Sequence, residues 1–451
     1  MPEPAGPPSS PGGHEGGHGG GHRGSTGGGA GVGTGSARAA SQGLGTRVLL
    51  ALIVGQVGIH AAMAGLRMAA PLQALREGQT EFAVGLLFAF FAAAPVVTAM
   101  AAGRITDRHG YHRPVRMAIA LTAGGALLAV LSTFIDGWAH FALLCVAAMA
   151  TGTGANTGMI AIQRTAGLTA RDATERMRVF SWLGVAPSFS NVVGPVAAGL
   201  TIDLGGFRAA YILLAALTIM TWWASTQVPR SGGAGDQASK VSPGHALDLL
   251  KVPGMARLLL ANWLMSTCWD AHSFVVPLIG HERGFSATTI GFILGTFTLS
   301  VSLIRLVIPL VAHRLDETRV LRWAMWGTGL IFALYPLAHS AWLMGVCAAM
   351  LGVALGSSQP MVMTTLHHLT PEDRHGQALA LRSMAINLSS TVMPLSFGVA
   401  GAAVGAAGVF WACGALVAAG GWTVRRYPGA GAETGSVSGS GRSSPSGPSG
   451  P

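Results

Sequence analysis

The sequence predicts an all-α integral membrane protein with twelve transmembrane helices in two pseudo-symmetric six-helix bundles. Three observations predict it. Of 451 residues, 50% are hydrophobic and only 10% are charged, with a mean hydropathy of +0.49; a soluble domain of that make-up would expose large apolar patches. The apolar residues fall into stretches of about 20, the length that crosses a bilayer as a helix. Finally, the two halves of the chain repeat one another.

Residues 1–46 are rich in Gly, Ser, His and Ala. They lack the apolar core of a cleavable signal peptide and are expected to form a disordered cytoplasmic tail. Within this tail, His14-Glu15-Gly16-Gly17-His18 matches the zinc-protease pattern HExxH. That chemistry needs both imidazoles on one helix face, which a glycine-rich run does not hold; adventitious metal binding by His14, His18 and His22 stays open. Crossings are expected near 47–70, 82–102, 115–135, 138–161, 179–202 and 208–227, forming an N-terminal bundle over 47–227. A cytoplasmic linker rich in Gly, Ser, Pro and charge follows over 228–255. The C-terminal bundle, 256–425, has crossings near 256–279, 287–311, 320–338, 341–366, 378–402 and 407–425, and residues 426–451 form a second disordered tail.

Charge sets the orientation. With the N-terminus in the cytoplasm, 23 of the 28 Lys and Arg residues lie in or beside cytoplasmic segments; Arg76, Arg208 and Arg283 fall outside, and Arg67 and Arg305 lie within crossings. This asymmetry predicts a multi-pass protein of the cell membrane with both termini cytoplasmic. It also accounts for the net charge of +10 without a nucleic-acid partner, since the basic residues form no face interleaved with aromatics. Cys145, Cys268, Cys347 and Cys413 all fall inside crossings, where they act as small hydrophobes and not as disulfide or zinc pairs.

The repeat is explicit. Placing Pro71-Leu72 on Pro277-Leu278 gives an offset of 206, which also sets Gly78 on Gly284, Gly85 on Gly291 and Phe91 on Phe297. Pro195 and Gly199 match Pro394 and Gly398 at an offset of 199. The 206 offset carries Asp107 onto His313 and Arg108 onto Arg314, so the polar connector after the second crossing is decayed in the second half.

That connector is Gly103-Arg104-Ile105-Thr106-Asp107-Arg108-His109-Gly110. Its glycines permit a tight turn and close helix approach, and Asp107 among Arg104, Arg108 and Arg113 offers an ion-pair latch. The octet resembles the signature loop of the major facilitator superfamily, and together with the twelve crossings and the repeat it makes residues 45 to 427 similar to that superfamily. Gly194-Pro195-Val196-Ala197-Ala198-Gly199 resembles in part the Gly-Pro motif of its proton-driven exporters, with alanine where the first of the paired glycines is usual. Ala148 stands where those exporters carry an arginine ahead of Gly152. The resemblance implies a secondary active transporter whose halves rock about a central site, with Asp107 closing the cytoplasmic mouth against the start of the eleventh helix. It also implies that the first, fourth, seventh and tenth helices line a cavity. Read without the resemblance, Gly194, Pro195 and Gly199 give close packing with a proline bend, and the Gly154 and Gly158 spacing packs helix on helix.

Asp270 is the one acidic residue of 18 well inside a crossing. Its cost there, about 2.5 to 3.5 kcal/mol on the insertion scale, means it should face water or a partner. Asn262, Ser266 and Asp270 are spaced by four and share a helix face, as do Gln56 and His60 on the first crossing. His60 and Asp270 each lie 13 residues beyond a flanking arginine, Arg47 or Arg257, or about 20 Å along the helix. With Asn156 and Gln359 from the fourth and tenth crossings, the expected cavity comprises Gln56, His60, Asn156, Asn262, Asp270 and Gln359. Asp270 is the expected proton carrier and His60 or Arg67 its partner in one state; a permanent, structural pairing is the alternative. Snorkelling is the alternative for Arg67 and Arg305, and His272 is expected to pack. The expected substrate is a small amphipathic organic compound, neutral or cationic, exported against protons. Proton-coupled uptake of a metabolite, with a monocarboxylate allowed by Arg67, and a receptor of the same fold are the alternatives. No nucleophile, base and oxyanion set and no metal-ligand cluster falls within a crossing, so neither an enzyme, a cofactor nor a metal site is expected. The partners expected are the substrate, protons and lipid, around a monomer.

Overall fold

The computed structural model describes residues 33–169, 173–229, 246–311, 315–371 and 374–424. They form ten α-helices: α1 (Gly33–Arg76), α2 (Glu81–His109), α3 (His112–Ser132), α4 (Trp138–Thr169), α5 (Ala173–Thr226), α6 (Met255–Glu282), α7 (Ala287–Val311), α8 (Glu317–Leu334), α9 (Ala341–Leu369) and α10 (His375–Thr423). Two of these are double. The chain breaks at Gly206 (φ 75°) within α5 and at Gly405 (φ 73°) within α10, in a region that glycine enters without a Cβ penalty. Ten helices with two internal breaks are consistent with twelve crossings. Eight helical stretches are long and apolar enough to span a bilayer on their own. The other two, α6 and α8, carry Asn262, Ser266, Asp270 and His272 in the one case and Glu317, Arg319 and Arg322 in only 18 residues in the other.

Boundaries differ from expectation in two places. Helix α1 begins at Gly33, inside the stretch read as a disordered tail over 1–46. Extending an existing helix adds one hydrogen bond per residue without a new nucleus, and Ala37, Arg38, Ala39 and Ala40 favour it. The octet read as a connector is itself mostly helix: α2 runs to His109, and the turn falls only at Gly110 (φ 66°), whose N–H closes onto the Thr106 carbonyl. Gly103 lies within that helix, and a Cβ there would meet nothing within 4 Å among the described residues. The remaining parts of the expected tails, at 1–32 and 425–451, and the linker over 230–245 lie outside the described residues. The end of the linker is a short 3-10 turn, Ala246–Lys251, followed by Gly254 (φ 94°) at the start of α6.

We call the end of the bundle that holds the octet the signature end, and the opposite one the far end. The repeat read from the sequence reappears as reciprocal contacts at the far end. A Cβ at Gly85 of α2 would lie 2.5 Å from the Pro394 carbonyl oxygen of α10, and one at Gly291 of α7 would lie 2.5 Å from the Pro195 carbonyl oxygen of α5. Gly398 packs on the Glu81 carbonyl and Gly199 on that of Ala287, again matched at offsets of 199 and 206. Within each half, Gly152 meets the Phe91 carbonyl and Gly352 that of Phe297. Trp138 and Trp342 at the far end, with Trp323 and Trp422 at the signature end, stay exposed, as expected of aromatic belts at the two bilayer interfaces.

Candidate functional site

The first and second halves meet at mid-depth through an ion pair. Arg67 of α1 donates from Nη2 to Asp270 Oδ1 of α6 at 3.2 Å, and Ser390 Oγ of α10 donates to Asp270 Oδ2 at 3.0 Å. Both carboxylate oxygens of this buried side chain are thus engaged, the condition under which a charge tolerates burial. The Arg67 guanidinium also lies 5.2 Å from the Phe88 ring centroid, and Phe88 meets Phe274 edge to face with centroids 5.8 Å apart. Arg67, the residue offered as one of two partners for Asp270, is the one in contact. Equal counting from Arg47 and Arg257 favours His60, two turns earlier. Helical side chains lean toward the N-terminus of their helix, and the long arginine spans the difference.

Arg67 also divides two cavities. On its signature side lies a cavity of about 220 Å³, lined by His60, Asn156, Pro95, Asn387 and Ser390 among others. On its far side lies a smaller one of about 50 Å³, bounded by Trp269, Phe297, Asn191 and Thr298. Thr298 Oγ1 donates to the Asn191 carbonyl at 3.1 Å, and Trp269 and Phe297 meet edge to face at 4.7 Å. His272 is buried against Phe297 and within 3.2 Å of the Tyr335 hydroxyl, so it packs within the second half as the sequence suggests.

The six residues expected around one cavity divide. His60 and Asn156 line the larger cavity, and Asp270 joins it through Arg67 and Ser390. Gln56 is buried with its Oε1 unpartnered among the described residues, and is not among the lining residues. Asn262 and Gln359 belong to a second tier, bridged by Arg382 of α10: its Nε donates to Asn262 Oδ1 at 3.1 Å and its Nη2 to Gln359 Oε1. The sequence reading missed Arg382 because, four residues into a crossing, it counted among the basic fringe that any cytoplasmic helix end carries. Ser390 and Asn387 were missed because single hydroxyl and amide groups are common in membrane helices.

The Gly-Pro element is a joint. A Cβ at Gly194 would lie 2.5 Å from the Ala61 carbonyl oxygen of α1, while Pro195 and Gly199 offer backbone to Gly291 and Ala287 of α7. Gly154 and Gly158 pack α4 on α3 and α1.

The signature end is arranged differently. Asp107 accepts from Arg164 Nε of α4 at 2.8 Å, a pair within the first half. The three arginines expected beside it, Arg104, Arg108 and Arg113, are exposed. Among the described residues Asp107 makes no hydrogen bond or ion pair to the start of the eleventh helix, the contact expected of it; the halves touch at the far end, and the larger cavity lies between α2 and α10. The four cysteines are free and buried. Among the described residues no group of three or more His, Cys, Asp and Glu could hold a metal ion; His14, His18 and His22 lie outside them.

Comparison with known proteins agrees with this architecture. A sequence profile of the Major Facilitator Superfamily matches residues 52–256 and 258–446. The class B tetracycline resistance protein of Escherichia coli is 22% identical over 326 residues, covering 70% of this chain and 78% of that protein. Among solved structures, a POT family transporter in complex with 5-aminolevulinic acid superposes with a TM-score of 0.68 at 13% identity, over 83% of this chain and 94% of that one. A nucleoside transporter gives 0.66 at 14% identity over 84% and 98%, and a bacterial metal transporter 0.64 at 13% over 84% and 97%. At those identities the structures share the fold alone.

Proposed function

The chain belongs to the major facilitator superfamily, a family of multi-pass membrane transporters, and on that premise we propose that it exports a small amphipathic organic compound in exchange for protons by alternating access. The observation that carries this reading is the Arg67, Asp270 and Ser390 cluster, the one buried ion pair between the halves among the described residues. Proton binding to Asp270 removes the charge that Arg67 holds, which frees the two halves to part at that depth; loss of the proton restores the pair. Each exchange of proton for substrate then biases which end is open. The resemblance in part to a tetracycline resistance protein and the Gly-Pro joint support export over proton-coupled uptake of a metabolite. His60 and Asn156 face the larger cavity and are the substrate contacts proposed from the first half.

The signature end is proposed to be cytoplasmic, in the cell membrane, with both termini inside and the chain a monomer. The support is the concentration of Lys and Arg in the connectors of that end. Asp107 and its neighbours then form the cytoplasmic gate, open in this conformation. The test is accumulation of fluorescent lipophilic compounds in cells carrying the wild type, Asp270→Asn or no transporter, with and without a protonophore. Export predicts lower accumulation that needs both the gradient and Asp270. Higher accumulation in the wild type would instead establish uptake, and gradient-dependent transport by Asp270→Asn would remove the carrier role.

A further inference from the structure

The second tier of polar residues is made of donors. Asn262, Arg382, Gln359 and Arg305 come from four helices of the second half, α6, α10, α9 and α7, and share a depth. Asn262 and Arg382 each precede by eight residues the groups that meet in the upper cluster, Asp270 and Ser390. Arg305 lies eight residues beyond Phe297, which packs on Trp269 and His272. At the helical rise this sets the tier about 12 Å from Asp270 toward the signature end. Gln359 stands one turn beyond Gly356, whose added Cβ would meet the α7 backbone at Val301.

Arg305 is half-buried and lies on an inward helix face. It follows Val301 by four residues and precedes Ile308 by three, both buried, so all three share a helix face. Its Nε is buried and has no hydrogen-bond partner among the described residues. Its charge acts on that of Arg382, and neither arginine forms an ion pair among the described residues. Asn262 Nδ2 is a further buried donor without a partner among the described residues. Among the described residues Arg382 donates only to the neutral oxygens of Asn262 and Gln359. Two cations and an orphaned amide donor converging with no carboxylate is an arrangement that a bound anion would complete, because unpaired buried donors and like charges each cost free energy until an acceptor of opposite charge arrives.

We propose that Arg305, Arg382 and Asn262 bind the anionic group, a carboxylate or phosphate, of an amphipathic compound that this transporter carries, with its apolar body reaching toward the larger cavity. The proposal rests on the transport reading for its physiological sense, and it replaces a neutral or cationic substrate with an organic anion. Binding itself needs no gradient, so it is tested separately from coupling.

The experiment uses the purified full-length chain in nanodiscs of zwitterionic lipid. Protection against thermal unfolding is titrated with three compounds that share one ring system: 1-naphthoate, the neutral 1-naphthamide and the cationic 1-naphthylmethylamine. Naphthoate is expected to protect at the lowest concentration. Arg305→Gln and Arg382→Gln should each raise its half-effective concentration about tenfold or more, as loss of a charge-assisted contact would. Arg305→Lys and Arg382→Lys keep the charge and are expected to lose less, which provides folded variants if the glutamines unfold. Equal protection by all three compounds, no protection by naphthoate, or naphthoate protection unchanged in both Gln and Lys variants would overturn the proposal. Displacement of naphthoate by phosphatidylglycerol added to the discs would overturn it in favour of a lipid headgroup. Failure of the accumulation assay with naphthoate binding intact would remove export and leave the anion site standing.

Discussion

The two far-end seams that join the halves, α5 on α7 and α2 on α10, are built alike in backbone and differently in charge. Each sets a glycine against a proline carbonyl, Gly291 on Pro195 and Gly85 on Pro394, the closest approach two membrane helices make. In the first seam Asp203 of α5 crosses over and accepts from the N–H groups of Ala287 at 3.0 Å and Thr288 at 2.7 Å. It caps the N-terminus of α7, where free donors and the helix dipole favour a negative charge. In the second seam the position in register with Asp203 is Ala402, and the carboxylate belongs to Glu81, in the first turn of α2, against Gly401. Both acids lie just beyond the expected crossings. Burial raises the Glu81 carboxyl above its usual range and the charge of Glu282 adds to this. For Asp203, burial acts in the same direction, but the hydrogen bonds from Thr288, Ala287 and Ser286 outweigh it and hold the carboxyl below its usual range. Duplicated packing has therefore come to carry opposite electrostatics, one seam strengthened by ionisation and the other weakened by it.

The largest expected effect tests the shared part. Gly85→Val and Gly291→Val each place a side chain against carbonyl oxygens that cannot rotate away, so both should prevent far-end closure and lower transport about tenfold or more, equivalent to about 1.4 kcal/mol. Spin labels at Asp136→Cys and His339→Cys, exposed on opposite halves at that end, would report the separation. A large effect from one glycine only would break the symmetry.

Smaller effects should separate the seams. Asp203→Ala is expected to weaken far-end closure by about 1 kcal/mol, the usual worth of a cap, while Glu81→Gln should strengthen it, both read as a change in the population with short label distance. The pH dependence carries the same sign difference. The contribution of Asp203, with its lowered value, is present above the unfolded carboxyl range and is lost only as pH falls through that lowered value. Relief at Glu81, with its raised value, is present below the unfolded range and is lost as pH rises through the raised value. Acidification from neutrality should first tighten the α2 and α10 seam, and only at lower pH loosen the other. A single titration affecting both labels together would count against the distinction.

The smallest effect on stability is expected at the open end. Asp107→Ala removes an exposed pair with Arg164, worth at most about 1 kcal/mol. On the transport reading it should slow turnover while leaving binding of the compound unchanged; lost binding with normal exchange would contradict a gating role.

The sequence alone was enough for the all-helical membrane fold, for its repeated halves and for a buried carboxylate, Asp270, that needs a partner. Crossings are legible because length and apolarity are properties of a contiguous stretch, and the repeat because Pro71, Gly85, Pro195 and their mates hold fixed offsets. Asp270 was legible because burying a lone carboxylate in a crossing demands a partner. Tertiary structure alone decided which partner it has, the split of Asn262 and Gln359 away from His60 and Asn156, the entry of Arg382 and Ser390, and the pairing of Asp107 with Arg164. The physical reason is that sequence periodicity gives depth along a helix and the face a residue occupies, whereas contact between helices depends on their relative rotation and on how far an arginine reaches, and neither is written in any one segment.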